Sequence, residues 1–568
     1  MFVKTLLKYK WFVVCSIVMT GLMIASSLLQ PWLLKQVLDA LQMSDSKAIY
    51  QAGAWLIGMG IVGLLAGGIN VTTAAYIAQA VSSDLREKTF RKIQTFSYAN
   101  IEQFNAGNLV VRMTNDINQI QNLVMMMFQI LLRLPILFVG SVVLAIVTVP
   151  SLWWIIALLI IIVAGLTGIM MGLMGPRFQK FQILLERMNA IAKENLRGVR
   201  VVKSFVQERA QFDKFSQVSD ELLDQNLFIG YAFSIVEPMM MFVGYGAIYL
   251  AIWTLSGMVA TDAGVVSSIA SFIGYLNQII FTIIMVGFLG NGVTRAIISM
   301  RRLNEVLDTE PAMTFPDIAD EDLEGSIRFD HVTFTYPTDE SPILKDISFE
   351  VAPGQMVGVV GATGAGKSTL AQLILRLFDP QEGSISIGGK DLREVSQGSL
   401  RKNVSIVLQR AILFSGTIAD NLRQGKLDAS LPEMEWAAGI AQASEFIGRM
   451  ADSFDSQVEE RGNNFSGGQK QRMSIARGVV NHPKILILDD STSALDAKSE
   501  KLVQEALNKD LKGTTTIVIA QKISSVVHAD KILVLDQGRL IGQGTHKELV
   551  ATNEVYREIY ETQKGKED

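Results

Sequence analysis

Cysteine is almost absent from this sequence. Cys15 is the one cysteine among 568 residues, so neither an intrachain disulfide nor a cysteine-based metal site can form. Histidine is also scarce, with four residues. Charged residues make up 19% of the chain, below the level of about a quarter that is usual for soluble domains, and hydrophobic residues make up 49%. The formal net charge of −4 is small and gives no sign of a nucleic-acid partner.

Long apolar runs occupy the first part of the chain. Crossing a bilayer takes roughly 20 residues, and six runs are long enough: 11–34, 52–80, 123–149, 152–175, 228–256 and 264–292. Further along, the pattern becomes that of a soluble α/β domain, and the acidic, proline-containing stretch before it suits a connector. We predict a multi-domain membrane protein: an all-α, six-helix transmembrane domain at 1–304, a linker at 305–324 and an α/β domain at 325–568.

Lysine and arginine are concentrated in particular connections. They precede the first run, they are dense between the second and third and between the fourth and fifth, and they follow the sixth. In the other three connections, Lys47 is the only basic residue outside the ends of the runs. Because basic residues collect on the cytoplasmic side, we predict a multi-pass protein of the cell membrane with both termini and the α/β domain in the cytoplasm.

The two long basic connections are expected to continue the spans as helices. Each contains a short amphipathic piece with aromatic residues, at 96–104 and at 205–212. These pieces are either solvated helix surface or segments that dock on the α/β domain and transmit its movement. The sequence leaves both interpretations open.

Two charged residues fall inside the apolar runs. Arg133 and Glu237 would be costly in hydrocarbon, so each should face a cavity, a partner or the other. Methionine triplets at 125–127 and 239–241 lie near them, and methionine is a soft, adaptable side chain. A methionine-rich cavity with buried charge would suit small amphiphilic molecules. Ordinary packing with an interfacial ion pair explains the same residues equally well.

A glycine-rich loop dominates the second half of the chain. An apolar run at 356–360 predicts a buried strand before it, and apolar residues at helical spacing from 370 to 377 predict a helix after it. The loop residues are Gly361, Ala362, Thr363, Gly364, Ala365, Gly366, Lys367, Ser368 and Thr369. Strand, Gly-x4-Gly-Lys-Ser and helix together form a phosphate cradle, in which backbone N–H groups converge on the phosphates. Lys367 would reach the outer phosphates, and the Ser368 hydroxyl would bind Mg²⁺. The α/β domain is therefore predicted to be a P-loop nucleotide-binding domain.

Two further motifs support a nucleotide site. The apolar run 485–488 predicts a buried strand that ends at Asp489, where a carboxylate that orients Mg²⁺ is expected beside a phosphate loop. Upstream of it, a glycine pair and a hydroxyl stand at the start of a helix and offer another phosphate contact. That second motif consists of Ser466, Gly467, Gly468 and Gln469.

With these motifs the chain resembles an ATP-binding-cassette exporter half over essentially its full length. The resemblance implies ATP and Mg²⁺ as ligands. It makes Tyr336 the aromatic residue that stacks on adenine, and Gln409 the glutamine that links Mg²⁺ to the membrane helices. Residues 465–469 match the family signature with Phe in place of the usual Leu, 460–462 match the segment that senses the coupling helices, and 493–496 match the loop that crosses to the partner.

The sequence departs from the family at two catalytic positions. The residue that polarises the attacking water is normally Glu, and here it is Asp490, which keeps the carboxylate on a stem one methylene shorter. The switch residue is normally His, and here it is Gln521. Glutamine can donate a hydrogen bond to a phosphate but cannot become cationic. The site on this phosphate loop is expected to bind ATP and to hydrolyse it poorly.

The family pairs two such domains head to tail, so that each ATP site joins one chain's phosphate loop to the other chain's signature. Since the signature is intact, the resemblance implies a heterodimer with a homologous second half-transporter, working as an ATP-hydrolysing, multidrug-like exporter in the lipid bilayer. Alternatives are a symmetric pair that tolerates both changes, a nucleotide-sensing scaffold subunit, or a lipid, peptide or thiol-metabolite cargo. The six spans exclude a soluble DNA-repair ATPase with a similar cassette.

Overall fold

The chain folds into two compact units. The structure is a computed structural model that describes residues 2–259, 264–337, 339–492 and 495–564. Unit 1 consists of Met1–Gln94 and Gly107–Thr309, and unit 2 consists of Thr95–Ala106 and Glu310–Asp568.

Unit 1 is helical throughout its described residues. The α-helices up to residue 308 are α1 (Phe2–Lys8), α2 (Lys10–Gln42), α3 (Ser46–Gln94), α4 (Tyr98–Phe104), α5 (Ala106–Val111), α6 (Ile117–Met126), α7 (Arg133–Thr148), α8 (Trp153–Arg197), α9 (Val199–Ser204), α10 (Glu208–Val259) and α11 (Gly264–Asp308). Of these, α4 belongs to unit 2. Among the described residues, six helical stretches are long and apolar enough to cross a membrane, as predicted. Several run well beyond the apolar runs: α3 continues to Gln94 and α8 to Arg197.

The third span is not a continuous α-helix. Two π-helical turns, Arg112–Asp116 and Met127–Leu131, separate α5, α6 and α7. In the second turn the Phe128 carbonyl accepts hydrogen bonds from the Thr20 hydroxyl and the Asn70 amide, both at 3.4 Å. Backbone groups inside a membrane need internal partners, and neighbouring spans provide them here.

Arg133 follows the second π-helical turn at the start of α7. One of its terminal nitrogens lies 3.4 Å from the Ser27 hydroxyl, and its Nε is buried without a hydrogen bond. No ion pair of Arg133 is found in the described part of the chain. The side chain of Glu237 lies outside the described residues, so whether it faces a cavity, a partner or Arg133 stays an open prediction.

Unit 2 contains two larger sheets. Its strands are β1 (Ile327–Phe334), β2 (Leu344–Val351), β3 (Met356–Gly361), β4 (Glu382–Ile387), β5 (Lys390–Asp391), β6 (Val404–Val407), β7 (Gly416–Thr417), β8 (Gln457–Val458), β9 (Ile485–Asp489), β10 (Thr515–Ile519), β11 (Lys531–Asp536) and β12 (Arg539–Gly544). Its helices after α4 are α12 (Lys367–Ile374), α13 (Gln397–Asn403), α14 (Ile418–Arg423), α15 (Leu431–Ile440), α16 (Ser444–Ile447), α17 (Gly467–Val479), α18 (Ala497–Asp510), α19 (His546–Thr552) and α20 (Glu554–Lys564). The predicted α/β domain is confirmed.

The six-stranded sheet determines where the predicted motifs meet. Its order is β12-β11-β3-β10-β9-β6, and all neighbours pair in parallel except β11 and β12. All five residues of β9 are buried, as expected for a parallel strand covered on both faces. The carboxyl ends of β3, β10, β9 and β6 therefore lie side by side at one edge. The phosphate loop follows β3, and Gln521, Asp490 and Gln409 follow the other three.

The first aromatic connection piece, 96–104, is part of unit 2 and not of the transmembrane unit to which the sequence analysis assigns it. The Tyr98 ring meets Phe378 edge to face, with centroids 5.5 Å apart. Asn100 is buried; its amide donates to the Glu310 carbonyl at 3.2 Å, and its oxygen accepts from the Ala312 N–H at 2.9 Å. These contacts join α4 to the chain that enters the α/β domain.

The second piece, 205–212, lies in unit 1. Phe205 falls between α9 and α10, and Phe212 lies in the first turns of α10. Both side chains are exposed.

Replacing Asn100 by alanine should destabilise unit 2. The change removes the partner of the Glu310 carbonyl and of the Ala312 amide, and a buried polar group that loses its hydrogen bond costs about 1–3 kcal/mol. We expect a lower unfolding temperature by differential scanning calorimetry of the purified chain. Gln103→Ala, at an exposed position of the same helix, is the control and should leave the temperature unchanged. Equal melting of Asn100→Ala and the unaltered chain would contradict the docking of α4.

Candidate nucleotide-binding site

The phosphate loop has the backbone geometry of a cradle. Gly364 and Gly366 have φ of 85° and 98°, a left-handed conformation that side chains disfavour. A side chain on Gly361 would bring its Cβ within 2.1 Å of the Leu535 carbonyl. Gly366 immediately precedes α12, so the loop delivers its N–H groups to the positive end of that helix. Glycine is therefore required at these positions by conformation and by space.

Lys367 is held against the loop itself. Its Nζ donates to the carbonyls of Gly361 and Ala362, both at 2.9 Å. Burial lowers its pKa, while the negative charges of Asp489 and Asp490 act in the opposite direction. The ammonium therefore lies beside the loop and close to two carboxylates, where an outer phosphate would complete its contacts.

Ser368 and Asp489 bring two side-chain oxygen atoms together in the site. The Ser368 hydroxyl donates to Asp489 Oδ1 at 3.2 Å. Burial raises the pKa of Asp489, and the nearby Asp490 charge adds to this effect. No group of three or more acidic, histidine or cysteine side chains suited to a metal occurs in the ranges that the structure describes.

Asp490 is placed by an unusual backbone. Its φ of 46° is left-handed, and its N–H donates to the Ile519 carbonyl of β10 at 2.8 Å. Its Oδ2 accepts from the amide of Gln409 at 2.9 Å. The sequence does not predict this backbone conformation, because an aspartate after a strand is equally compatible with an ordinary turn. The Gln409 amide nitrogen is engaged by the carboxylate, so its amide oxygen is the atom available to a cation.

One cavity brings together most of the predicted site. It is lined by Ile343, Thr363, Gly364, Gly366, Lys367, Ser368, Thr369, Gln409, Asp489, Asp490, Ile519, Ala520 and Gln521. The predicted residues that do not line it are Gly361, Ala362 and Ala365 of the loop, Tyr336, and the signature residues. The loop, the two carboxylates and both family departures therefore share a single site.

Tyr336 is fixed next to this cavity. Its hydroxyl lies 2.9 Å from Thr369 Oγ1 and donates to Gln372 Oε1, also at 2.9 Å. Its ring packs edge to face on Phe334 and Phe378. Burial raises the pKa of the Tyr336 phenol. The contacts attach this aromatic ring to the first turn of α12, at the border of the phosphate loop.

The signature residues form a self-contained helix start. Ser466 precedes α17 and accepts from the Gln469 N–H at 3.3 Å, while its own N–H donates to Gln469 Oε1 at 2.9 Å. This reciprocal capping box satisfies the helix start without another chain. Gly467 and Gly468 follow in the first turn. A Cβ on Gly467 would meet nothing within 4 Å, so the space beside it is open.

None of the four histidines lines the cavity. His331 is paired with Asp346, His482 stacks on Trp436, and His546 lies 2.8 Å from the Tyr556 hydroxyl. His528 is exposed. Within the described residues, no imidazole replaces the one that the family carries at position 521.

Comparison with known families identifies the class of protein. The ABC transporter transmembrane region matches residues 13–283, and the ABC transporter domain matches residues 344–493. The chain belongs to the ABC transporter family, and it is an exporter-type half-transporter in which six apolar helices precede one ATP-binding domain. The family makes it an ATP-hydrolysing translocase.

Individual relatives extend over nearly the whole chain. The uncharacterized ABC transporter ATP-binding protein YfiB of Bacillus subtilis is 36% identical over 96% of this chain and 95% of its own length. The ATP-dependent lipid A-core flippase of Pseudomonas putida is 32% identical over 86% and 81%. The structure of a bacterial Atm1-family ABC exporter with ATP bound matches with a TM-score of 0.80 and 28% identity, covering 98% of both chains.

Alanine at Gly364 should weaken ATP binding beyond its effect on stability. Gly364 and Gly389 both have left-handed φ and open space around a Cβ, but only Gly364 lines the cavity. Each substitution should therefore lower the free energy of unfolding by a similar amount, about 1–2 kcal/mol. Only Gly364→Ala should also raise the Kd for Mg-ATP, by about 10- to 100-fold, because the strained loop would move an N–H away from a phosphate and one charge-assisted hydrogen bond is worth about 1.5–3 kcal/mol. Titration calorimetry measures the Kd for Mg-ATP in both variants. Equal affinity of the two variants would argue against the loop as a phosphate cradle.

Proposed function

We propose that this chain is one half of a heterodimeric exporter and that the ATP site on its own phosphate loop hydrolyses ATP poorly. The observation that carries this proposal is that Asp490 and Gln521 line the same cavity as an otherwise complete phosphate loop. A catalytic group displaced by about 1 Å can cost on the order of 10²-fold in rate. Two changes in one site reduce hydrolysis while leaving the means of binding in place.

Binding is assigned to the loop and its immediate neighbours. Backbone N–H groups from Gly364 to Ser368 hold the phosphates, and Lys367 leaves its loop carbonyls to neutralise the outer ones. Ser368 and Asp489, with Gln409, would hold Mg²⁺, which supplies charge neutralisation between the two terminal phosphates when bound. Tyr336 stacks on adenine.

Hydrolysis requires a water aligned with the terminal phosphate. Asp490 accepts the proton of that water from a position one methylene short of the family's arrangement. Gln521 donates a hydrogen bond to the phosphate but adds no positive charge. The Gln409 amide nitrogen keeps its hydrogen bond to Asp490 while the amide oxygen is presented to the cation.

The signature supports the need for a second chain. Ser466 to Gln469 do not line the cavity of their own chain, yet their helix start is fully formed. An anion-binding helix start without an anion of its own fits a role in a partner's ATP site. The partner is a homologous half-transporter whose catalytic Glu and His are in place.

Unit 1 provides the path through the membrane. The distribution of basic residues favours a cytoplasmic position for both termini and for unit 2 in the cell membrane. ATP binding closes the paired nucleotide domains, and hydrolysis at the competent site reopens them while the spans alternate their access. The cargo is a small amphiphilic or hydrophobic molecule. The similarity to the lipid A-core flippase of Pseudomonas putida keeps a lipid among the cargoes to be tested.

Purification should reveal the heterodimer. Expressed alone, this chain is expected to have little ATPase activity, because every site of a homodimer would contain Asp490 and Gln521. Co-expressed with its partner, it should give a stable pair with a much higher rate. A stable homodimer with the full rate of the pair would overturn the proposal.

Restoring the family residues should accelerate ATP hydrolysis at this site. In the assembled pair, with the partner's catalytic carboxylate neutralised, Asp490→Glu combined with Gln521→His should raise the ATPase rate by up to about 10²-fold. Phosphate release measures the rate. Gln521→Asn in the same background changes size without adding an imidazole and should give no gain. An unchanged rate in the double variant would contradict the account of the defect and favour a nucleotide-sensing scaffold subunit.

A further inference from the structure

The C-terminal helix α20 is anchored firmly to unit 2. Tyr556 is fully buried, and its hydroxyl lies 2.8 Å from His546 Nδ1 in α19. Burial raises the pKa of Tyr556 to about 12, so the hydroxyl stays protonated and can donate to that nitrogen. Ile559 and Tyr560 pack against the buried core. The last turn of α20 is therefore held at a fixed place on the domain.

That last turn contacts the segment that follows β10. Gln563 Oε1 accepts from the Ile523 N–H at 2.8 Å, and Gln563 Nε2 donates to the Gln521 carbonyl at 2.9 Å. The Gln563 side chain thus satisfies two backbone groups, one on either side of Lys522. We refer to this pair of hydrogen bonds as the Gln563 bracket. Ile523 is buried and begins a 3₁₀ turn. Gln521, at the other end of this bracket, faces the nucleotide cavity.

The same segment is tied at its far end by Glu500 of α18. Glu500 Oε1 accepts from the Ser525 hydroxyl at 2.9 Å and from the Thr492 hydroxyl at 2.8 Å. Thr492 lies two residues after Asp490. Segment 521–525 is therefore held at both ends, by α18 and by α20, and its first residue, Gln521, lines the cavity.

We propose that Gln563 is a positioning residue that fixes Gln521 for contact with the terminal phosphate, so that the C-terminal helix sets how well this site distinguishes ATP from ADP. The inference rests on the proposed contact between Gln521 and that phosphate, and it is independent of the heterodimer. ADP lacks the terminal phosphate, so its binding does not depend on Gln521. Release of the segment therefore weakens ATP binding selectively.

The test compares Mg-ATP and Mg-ADP binding to the full-length chain by titration calorimetry, with the partner's phosphate loop inactivated if a pair is used. Gln563→Ala should lower the ratio of ATP to ADP affinity about fivefold, as expected for one lost hydrogen bond. The Kd for ADP should stay the same. A purely structural role of Gln563 would weaken both nucleotides equally, and that result would overturn the proposal.

Gln563→Glu keeps the size of the side chain, while pH controls whether it can donate a hydrogen bond. The variant therefore separates the positioning of Gln521 from the packing of residue 563. At pH 8 its carboxylate keeps an acceptor for Ile523 but places an oxygen against the Gln521 carbonyl, so the preference for ATP should fall. An ordinary Glu has a pKa of about 4.3, and the facing carbonyl raises it. Near pH 5 a larger share of the acid is protonated and carries a donor again, so the loss of preference should be smaller than at pH 8, measured against the unaltered chain at the same pH. A defect of the same size at both pH values would contradict the inference.

Two further variants make the result unambiguous. Glu561→Gln, at an exposed position on the same turn, should leave the nucleotide preference unchanged. Gln521→Ala should lower it at least as far as Gln563→Ala does. If Gln521→Ala lowers it and Gln563→Ala does not, the bracket has no positioning role. If Gln521→Ala leaves it unchanged, the phosphate contact itself is wrong, and this role falls with it.

Discussion

The pairing of β3, β10, β9 and β6 is the constraint on which the nucleotide site depends. These four parallel strands are neighbours, and each delivers one essential group at its carboxyl end. The register is tight: Ile519 of β10 lies opposite Val359 on one side and Asp489 on the other. A slip of one residue would turn every side chain of a strand to the opposite face. Groups more than 150 positions apart in the chain meet only because this register holds.

Two charged side chains at the edge of that sheet have shifted pKa values. Burial lowers the pKa of Lys367 and raises that of Asp489, so each group is shifted toward its neutral form. A triphosphate and a divalent cation would supply the missing opposite charges. Any ligand that binds only the folded chain adds to its stability. Contacts of this kind would bind a nucleotide whether or not the site hydrolyses it.

Local sequence patterns predicted much of this protein. The six spans, the strand before the phosphate loop and the strand ending at Asp489 each have a pattern that lies within one short, continuous stretch of the chain. Contacts between distant segments had no such signal. The attachment of Asn100 to Ala312 and the bracket formed by Gln563 depend on the tertiary fold, and a lone glutamine or asparagine in a helix looks like solvated surface. The left-handed backbone of Asp490 was missed for the same reason, because it is imposed by β10.

These distant contacts explain how a site could lose hydrolytic groups without losing its fold. The Asp490 N–H bonds to the Ile519 carbonyl, and the Gln521 carbonyl bonds to Gln563. Both are backbone groups, so both hydrogen bonds form whatever side chain occupies positions 490 and 521. A change from Glu to Asp or from His to Gln would therefore alter the side chain at position 490 or 521 while the backbone of that segment keeps its place. The phosphate loop and the start of α17 rest on other contacts, so their backbone would keep its place as well.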